Sequence, residues 1–132
     1  MPQLQNVILT DRTPVTPVNL TFVPRGIESG VGETVNNAGT PIGEKRFTVS
    51  MKQTGKRFKG EVRLVLPVVV TETINGVSSP KVVRTGYVNL STSFDETSTE
   101  QERTDAIGMM SSALATSKVL VNDALVKNEG VY

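Results

Sequence analysis

The sequence predicts an α+β fold, an antiparallel meander of about five or six strands followed by two C-terminal helices. Two observations carry this. Over the first two thirds, short Val, Ile, Leu and Thr runs alternate with Pro and Gly and no segment keeps a helical period. After Phe94 the pattern switches to helical spacing, with acidic residues crowding its start. The 132 residues are one domain's worth, divided into a hairpin and sheet over about 1–94 and two helices over about 97–128.

Residues 5–10 and 18–23 read as an N-terminal hairpin joined by Asp11-Arg12-Thr13-Pro14-Val15-Thr16-Pro17. Residues 46–52 alternate cleanly, Arg46, Thr48, Ser50 and Lys52 facing one way and Phe47, Val49 and Met51 the other. A turn around Thr54-Gly55-Lys56 leads to a strand over 58–70, where Lys59, Glu61, Arg63 and Val65 oppose Phe58, Gly60, Val62, Leu64 and Leu66. Pro67 lacks an N–H, so it is expected to mark an edge, a bulge or a bend at which the strand breaks pairing. Asn75-Gly76 is a two-residue turn signal, and Ser78-Ser79-Pro80 extends it into an expected long exposed loop before a strand over 81–94. In that strand Thr85, Tyr87, Asn89, Ser91 and Ser93 share the polar face.

Thr97-Ser98-Thr99-Glu100 fits a capping box, and Ile107, Met110 and Leu114 form the apolar stripe of a first helix. Gly108 weakens that helix by about 1 kcal/mol relative to Ala, and close packing against another backbone would account for it. Ser117 is the expected cap of a second helix carrying Val121, Ala124 and Leu125, which stops at Asn128-Glu129-Gly130. The helices are expected to cover the sheet's apolar face and leave the other open.

Composition narrows function. With no Cys and no His, disulfide frameworks, zinc ribbons, thiol nucleophiles and the commonest general base are excluded. The carboxylates form no distinctive constellation, so neither an enzyme, nor a metal site, nor a cofactor is expected. No stretch reaches the roughly 20 apolar residues of a membrane span. The start, Met1-Pro2-Gln3-Leu4-Gln5-Asn6, lacks the features of a signal peptide, which places the protein in a cytosol and makes the Asn19-Leu20-Thr21 and Asn89-Leu90-Ser91 glycosylation patterns chance matches. Arg25-Gly26-Ile27-Glu28-Ser29-Gly30-Val31-Gly32 is glycine-rich but lacks the Gly-Lys-Ser/Thr ending of a phosphate loop and reads as a turn.

The formal net charge of +1 hides a polarised chain. Residues 44–63 hold Lys45, Arg46, Lys52, Lys56, Arg57, Lys59 and Arg63 against two carboxylates, whereas residues 91–132 are predominantly acidic. If the alternating strands are neighbours, one open face carries cations for phosphates, hydroxyls and an amide for base edges, and Tyr87 for stacking. Those are the requirements of single-stranded nucleic-acid binding; the alternative is an ordinary solvated sheet face.

The order and spacing of several short motifs carry a family resemblance: Phe22-Val23-Pro24-Arg25-Gly26, Glu44-Lys45-Arg46-Phe47-Thr48-Val49-Ser50, Val65-Leu66-Pro67, Thr71-Glu72-Thr73-Ile74-Asn75-Gly76-Val77, Arg84-Thr85-Gly86-Tyr87-Val88-Asn89 and Gly130-Val131-Tyr132. Over essentially its whole length the chain resembles the coat proteins of the small single-stranded RNA bacteriophages, the leviviruses and alloleviviruses. The resemblance implies an N-terminal hairpin, a five-stranded antiparallel sheet and two helices reaching across a partner, so that two subunits form an intertwined homodimer with a ten-stranded sheet. It further implies an icosahedral capsid assembled in the bacterial cytoplasm, with the open face binding a genomic RNA hairpin, repressing replicase translation and favouring packaging.

By position, the resemblance assigns Thr48, Ser50 and Arg63, with Val31 nearby, to a pocket for an unpaired adenine. It assigns Tyr87 to base stacking, Asn89 to its polar neighbour, and Arg46, Lys52 and Lys59 to backbone contacts. Arg63 stands where well-known members have Lys. Glu61 stands where several have Thr, and either accepts a base-edge amine or repels phosphate. Thr73, Asn75, Gly76, Ser78 and Pro80 match the loop that adapts to different shell axes, and Ile107, Met110, Leu114 and Leu125 become dimer-helix contacts. The competing reading is a non-viral single-stranded nucleic-acid binding module with the same face.

Overall fold

A computed structural model describes residues 3–36 and 43–131. Met1, Pro2 and Tyr132 of the terminal motifs lie outside the described residues. The chain forms two compact units, residues 1–93 and 94–132. The first is a six-stranded antiparallel sheet in simple meander order: β1 (Val7–Thr10), β2 (Asn19–Glu28), β3 (Val31–Asn36), β4 (Lys45–Thr54), β5 (Arg57–Ile74) and β6 (Val77–Asp95). The second holds α1 (Glu100–Ala113) and α2 (Val119–Leu125).

The hairpin and the five-stranded sheet share one strand. The first half of β2 pairs with β1, from Val7↔Phe22 to Thr10↔Asn19, and its second half pairs with β3, from Val23↔Val35 to Glu28↔Val31. A register shift between Pro24 and Gly26 separates the halves, which is why hairpin plus sheet amounts to six strands. Within the hairpin connection, the Asp11 carboxylate accepts from the Val18 and Thr13 amides at 2.8 and 3.1 Å and from the Thr13 hydroxyl at 2.8 Å. These bonds, the Val18 amide first, hold its carboxyl below the ordinary range. This local order is therefore fully present above the ordinary carboxylate pKa and is lost as pH falls through the lowered one.

Three two-residue turns set the sheet register. Ser29 and Gly30 (φ 51° and 78°) and Asn75 and Gly76 (φ 51° and 79°) both carry the two positive φ angles of a type I′ turn, and Gly55 (φ 61°) opens the β4–β5 turn. The expected long loop after Asn75 is absent. Ser78, Ser79 and Pro80 belong to β6, because the Asn-Gly turn closes at once and lets the strands run to their tip. Thr73 and Ser78 hydroxyls meet at 3.4 Å and Lys81 pairs with Glu72 at 3.8 Å. Thr73, Asn75, Gly76, Ser78 and Pro80 thus form a hairpin end. At Pro67 the expected break falls in the ladder and not in the strand: the described pairing with β4 ends at Arg46↔Val65, two residues before it, so the missing N–H costs that ladder nothing, while β5 itself runs on to Ile74.

The core lies on one face of the sheet. Phe22 is 1% exposed and meets Phe47 edge-on at 6.2 Å, while the buried Thr34 hydroxyl donates to the Phe47 carbonyl at 2.8 Å. Gly60 belongs there, since a Cβ would sit 2.8 Å from the Thr92 hydroxyl and 2.9 Å from Met51 Cε. Val49, Met51 and Val88 remain exposed.

In the second unit, α1 begins two residues later than the Thr97 capping box predicts. Asp95 takes the Thr97 amide and hydroxyl at 3.0 and 2.8 Å, leaving Thr99 as the cap of α1, accepting from the Glu102 amide at 3.2 Å. Thr99-Glu100-Gln101-Glu102 is the same box in the next frame. Lys118, not Ser117, occupies the N-cap of α2, with no side-chain bond. Past α2, Asn128 takes φ 57° and the Glu129 amide returns to the Asp123 carbonyl at 3.2 Å, the expected stop. No residue of either helix is buried, and Ile107, Met110, Leu114 and Leu125 are all exposed. A Cβ at Gly108 meets nothing within 4 Å, so packing within this chain does not account for that glycine.

Candidate nucleic-acid interface

The face opposite the Phe22 core is built by β3, β4, β5 and β6, and register places its side chains in rows across the strands. Lys52 stands opposite Lys59; Val31, Ser50 and Glu61 form the next row; Glu33, Thr48 and Arg63 the third; Val35, Arg46 and Val65 the fourth. A concavity of about 760 Å³ follows these rows and is walled on the far side by Ser91 and Ser93 of β6. Strand alternation puts Tyr87 and Asn89 on the face of Ser91. Tyr87 is 77% exposed, and neither it nor Asn89 lines the concavity. The structure therefore gathers Val31, Arg46, Thr48, Ser50, Lys52, Lys59, Glu61 and Arg63 into one depression, with Tyr87 and Asn89 farther along the same face.

Charge is not uniform across it. The shift at Pro24–Gly26 turns Arg25 toward Glu33 (3.4 Å) and the buried Glu44; Arg46 stands 3.8 Å from both carboxylates. Burying the Glu44 carboxylate is tolerable because two guanidinium groups face it. Arg63 Nε contacts Glu61 Oε1 on the same strand face. Of the cations on this face, Arg46, expected at the backbone, and Arg63, expected at the adenine pocket, are thus paired with carboxylates. Lys52 and Lys59 have no ion pair among the described residues, and with Lys56 and Arg57 they concentrate positive charge at the β4–β5 turn end. Arg57 is held by the Ser93 hydroxyl and carbonyl at 2.9 and 3.2 Å.

Sequence reasoning missed Glu33 as a member of this face because the strand that carries it was not singled out. The alternation Val31, Glu33, Val35 was the available signal. Among the described residues there is no cluster of His, Cys, Asp or Glu suited to a metal ion, and no helix is long and apolar enough to cross a membrane.

A hairpin, an antiparallel meander with one polar cationic face and two C-terminal helices define a class that sequence comparison resolves. The levivirus coat protein family model matches residues 2–132, and the chain belongs to that family of phage capsid proteins. It is 47% identical over 131 residues to the capsid protein of Pseudomonas phage PRR1, covering 98% of this chain and 99% of that one. It is 32% identical over 108 residues to the capsid protein of Escherichia virus Qbeta, covering 78% and 80% of the two chains. The fold also matches the virus-like particle of bacteriophage ESE058 (TM-score 0.87, 24% identity, 99% and 100% coverage) and the bacteriophage GA capsid protein (TM-score 0.81, 22% identity, 98% of each). Family membership sets aside the non-viral binding module.

Proposed function

We propose that this chain is the shell-building, non-catalytic subunit of a phage virion, that it assembles as an intertwined homodimer into an icosahedral capsid in the bacterial cytoplasm, and that its cationic sheet face binds a hairpin of the genomic RNA. Binding there represses replicase translation and marks the RNA for packaging. Support for the dimer comes from apolar surface that one chain leaves open: Val49, Met51 and Val88 on the sheet, and Ile107, Met110, Leu114 and Leu125 on the helices. Helices laid over a partner's sheet, with the two sheets joined edge to edge, bury such surface and remove an open edge.

The observation that carries the RNA reading is the Lys52–Lys59 row. Like charges directly opposite on neighbouring strands destabilise a sheet, and a phosphate between them reverses the sign. Ser50 and Thr48 in the next two rows, with Tyr87 and Asn89 beyond, supply hydrogen bonds and a stacking ring for unpaired bases. Lys59→Ala is expected to weaken hairpin binding regardless of sequence and to reduce the slope of log affinity against log salt by about 1. Binding assays over a salt series check this; an unchanged slope contradicts a phosphate contact.

A further inference from the structure

We infer that Asn75 is a modification site: at the β5–β6 tip its side-chain amide converts without an enzyme to aspartate or isoaspartate, through attack by the Gly76 backbone nitrogen, at a rate set by how often the turn opens. The inference concerns the hairpin tip alone and needs neither RNA nor a shell.

Asn75-Gly76 is the one Asn-Gly pair in the 132 residues. Glycine leaves the attacking nitrogen unshielded by a side chain of its own, and the fold adds no other cover. A Cβ at Gly76 would meet nothing within 4 Å, and every residue from 71 to 80 is exposed. No hydrogen bond holds the Asn75 side-chain amide among the described residues. Water and solvent base therefore reach both reacting groups. The Gly76 nitrogen gives its proton to solvent base and bonds to Asn75 Cγ; the Cγ–Nδ2 bond breaks, Nδ2 leaves as ammonia, and a five-membered succinimide remains. Water then opens the ring. Breaking the bond from the Gly76 nitrogen to Cγ gives aspartate, and breaking its bond to the Asn75 carbonyl carbon gives isoaspartate, with the main chain rerouted through Cβ and Cγ. One water is consumed, one ammonia is released, and nothing is oxidised or reduced.

The turn opposes the first step. Ring closure needs the Gly76 nitrogen on the same side of the Asn75 Cα–C bond as Cβ. In a type I′ turn both central residues are left-handed, as φ of 51° and 79° require, and the nitrogen then lies nearly opposite Cβ. The closed turn is unreactive, and conversion waits for Asn75 to leave this well. Its braces are weak: the Thr73 and Ser78 hydroxyls meet at 3.4 Å, and Lys81 reaches Glu72 at 3.8 Å between two exposed side chains. Isoaspartate lengthens the main chain by a methylene, so the two-residue turn that sets this hairpin no longer closes, and either product adds a negative charge three residues from Glu72.

The test incubates full-length protein, folded and in urea, at neutral and mildly alkaline pH, and follows the tryptic peptide 64–81 by mass spectrometry, with isoaspartate scored by isoaspartyl methyltransferase labelling. That peptide holds no Asn or Gln other than Asn75, so any amide-to-acid conversion in it is assigned at once. The folded chain is expected to convert at Asn75, faster at the higher pH, and at least about tenfold more slowly than the chain in urea, the ratio imposed when the open turn is about a tenth of the population or less. No conversion in the folded chain, a rate independent of pH, or equal rates folded and unfolded overturns the inference. Hydrogen exchange on the aged samples reads the consequence for the fold. Aged wild type is expected to lose amide protection at the β5–β6 tip, whereas N75G, which lacks the amide and keeps a residue at ease with positive φ, retains its protection through the same incubation. Equal loss in both overturns the assignment of the change to Asn75.

Discussion

Along the cationic face, neighbouring residues of the same charge stand in different electrostatic surroundings because their partners differ. Arg46 and Arg63 are tied to Glu33, Glu44 and Glu61, whereas Lys52 and Lys59 face each other. A count of basic residues could not make that distinction, since it depends on which carboxylate register brings alongside. Tyr87 presents a large exposed ring, outward on β6, on the face of Ser91. Tyr87→Ala is expected to cost about 1 to 3 kcal/mol of hairpin affinity, the worth of one base stacked on an aromatic ring. Titration of the variant with an RNA hairpin measures this, and full affinity in a folded variant contradicts a stacking role. The two faces of β4 and β5 were legible in the sequence because strict alternation survives from Arg46 to Lys52 and from Phe58 to Leu66. The pairing of Glu61 with Arg63 was not, since i and i+2 neighbours on a strand meet only when rotamers allow it.

At the scale of elements, turn chemistry and helix frames decided what could be read. Asn75-Gly76 announced its turn, but Ser78-Ser79-Pro80 has loop composition and continues as strand because a closed type I′ turn keeps both strands in register. β3 escaped notice because Val-Gly-Glu-Thr-Val-Asn mixes a glycine and an asparagine with only two β-branched aliphatics, and its pairing on both sides supplies what local propensity does not. Two overlapping Thr-x-x-Glu frames preceded α1, and Asp95 chose between them by engaging Thr97. Thr99→Ala is therefore expected to destabilise α1 by about 1 kcal/mol, seen as a lower midpoint in chemical denaturation. Thr97→Ala leaves the cap itself in place, so a larger loss at Thr97 than at Thr99 contradicts the assigned frame.

For the whole molecule, the distribution of apolar surface matters more than its amount. One phenylalanine is the single fully buried large side chain among the described residues, while both helices and the sheet face carrying Val49 and Met51 keep their apolar groups in the open. A chain with 37% hydrophobic residues that leaves so many uncovered fits the proposed completion by copies of itself. The stripes at Ile107, Met110 and Leu114 were visible in the sequence as helical spacing; the partner they face in the proposed dimer is something no single-chain pattern encodes. Assembly and RNA capture meet in one measurement: the protein is expressed alone in bacteria, purified by size, and assayed for particle mass and nuclease-protected nucleic acid. The proposed function predicts megadalton shells that protect RNA. A dimer that binds RNA and never assembles, even when RNA is supplied, contradicts it.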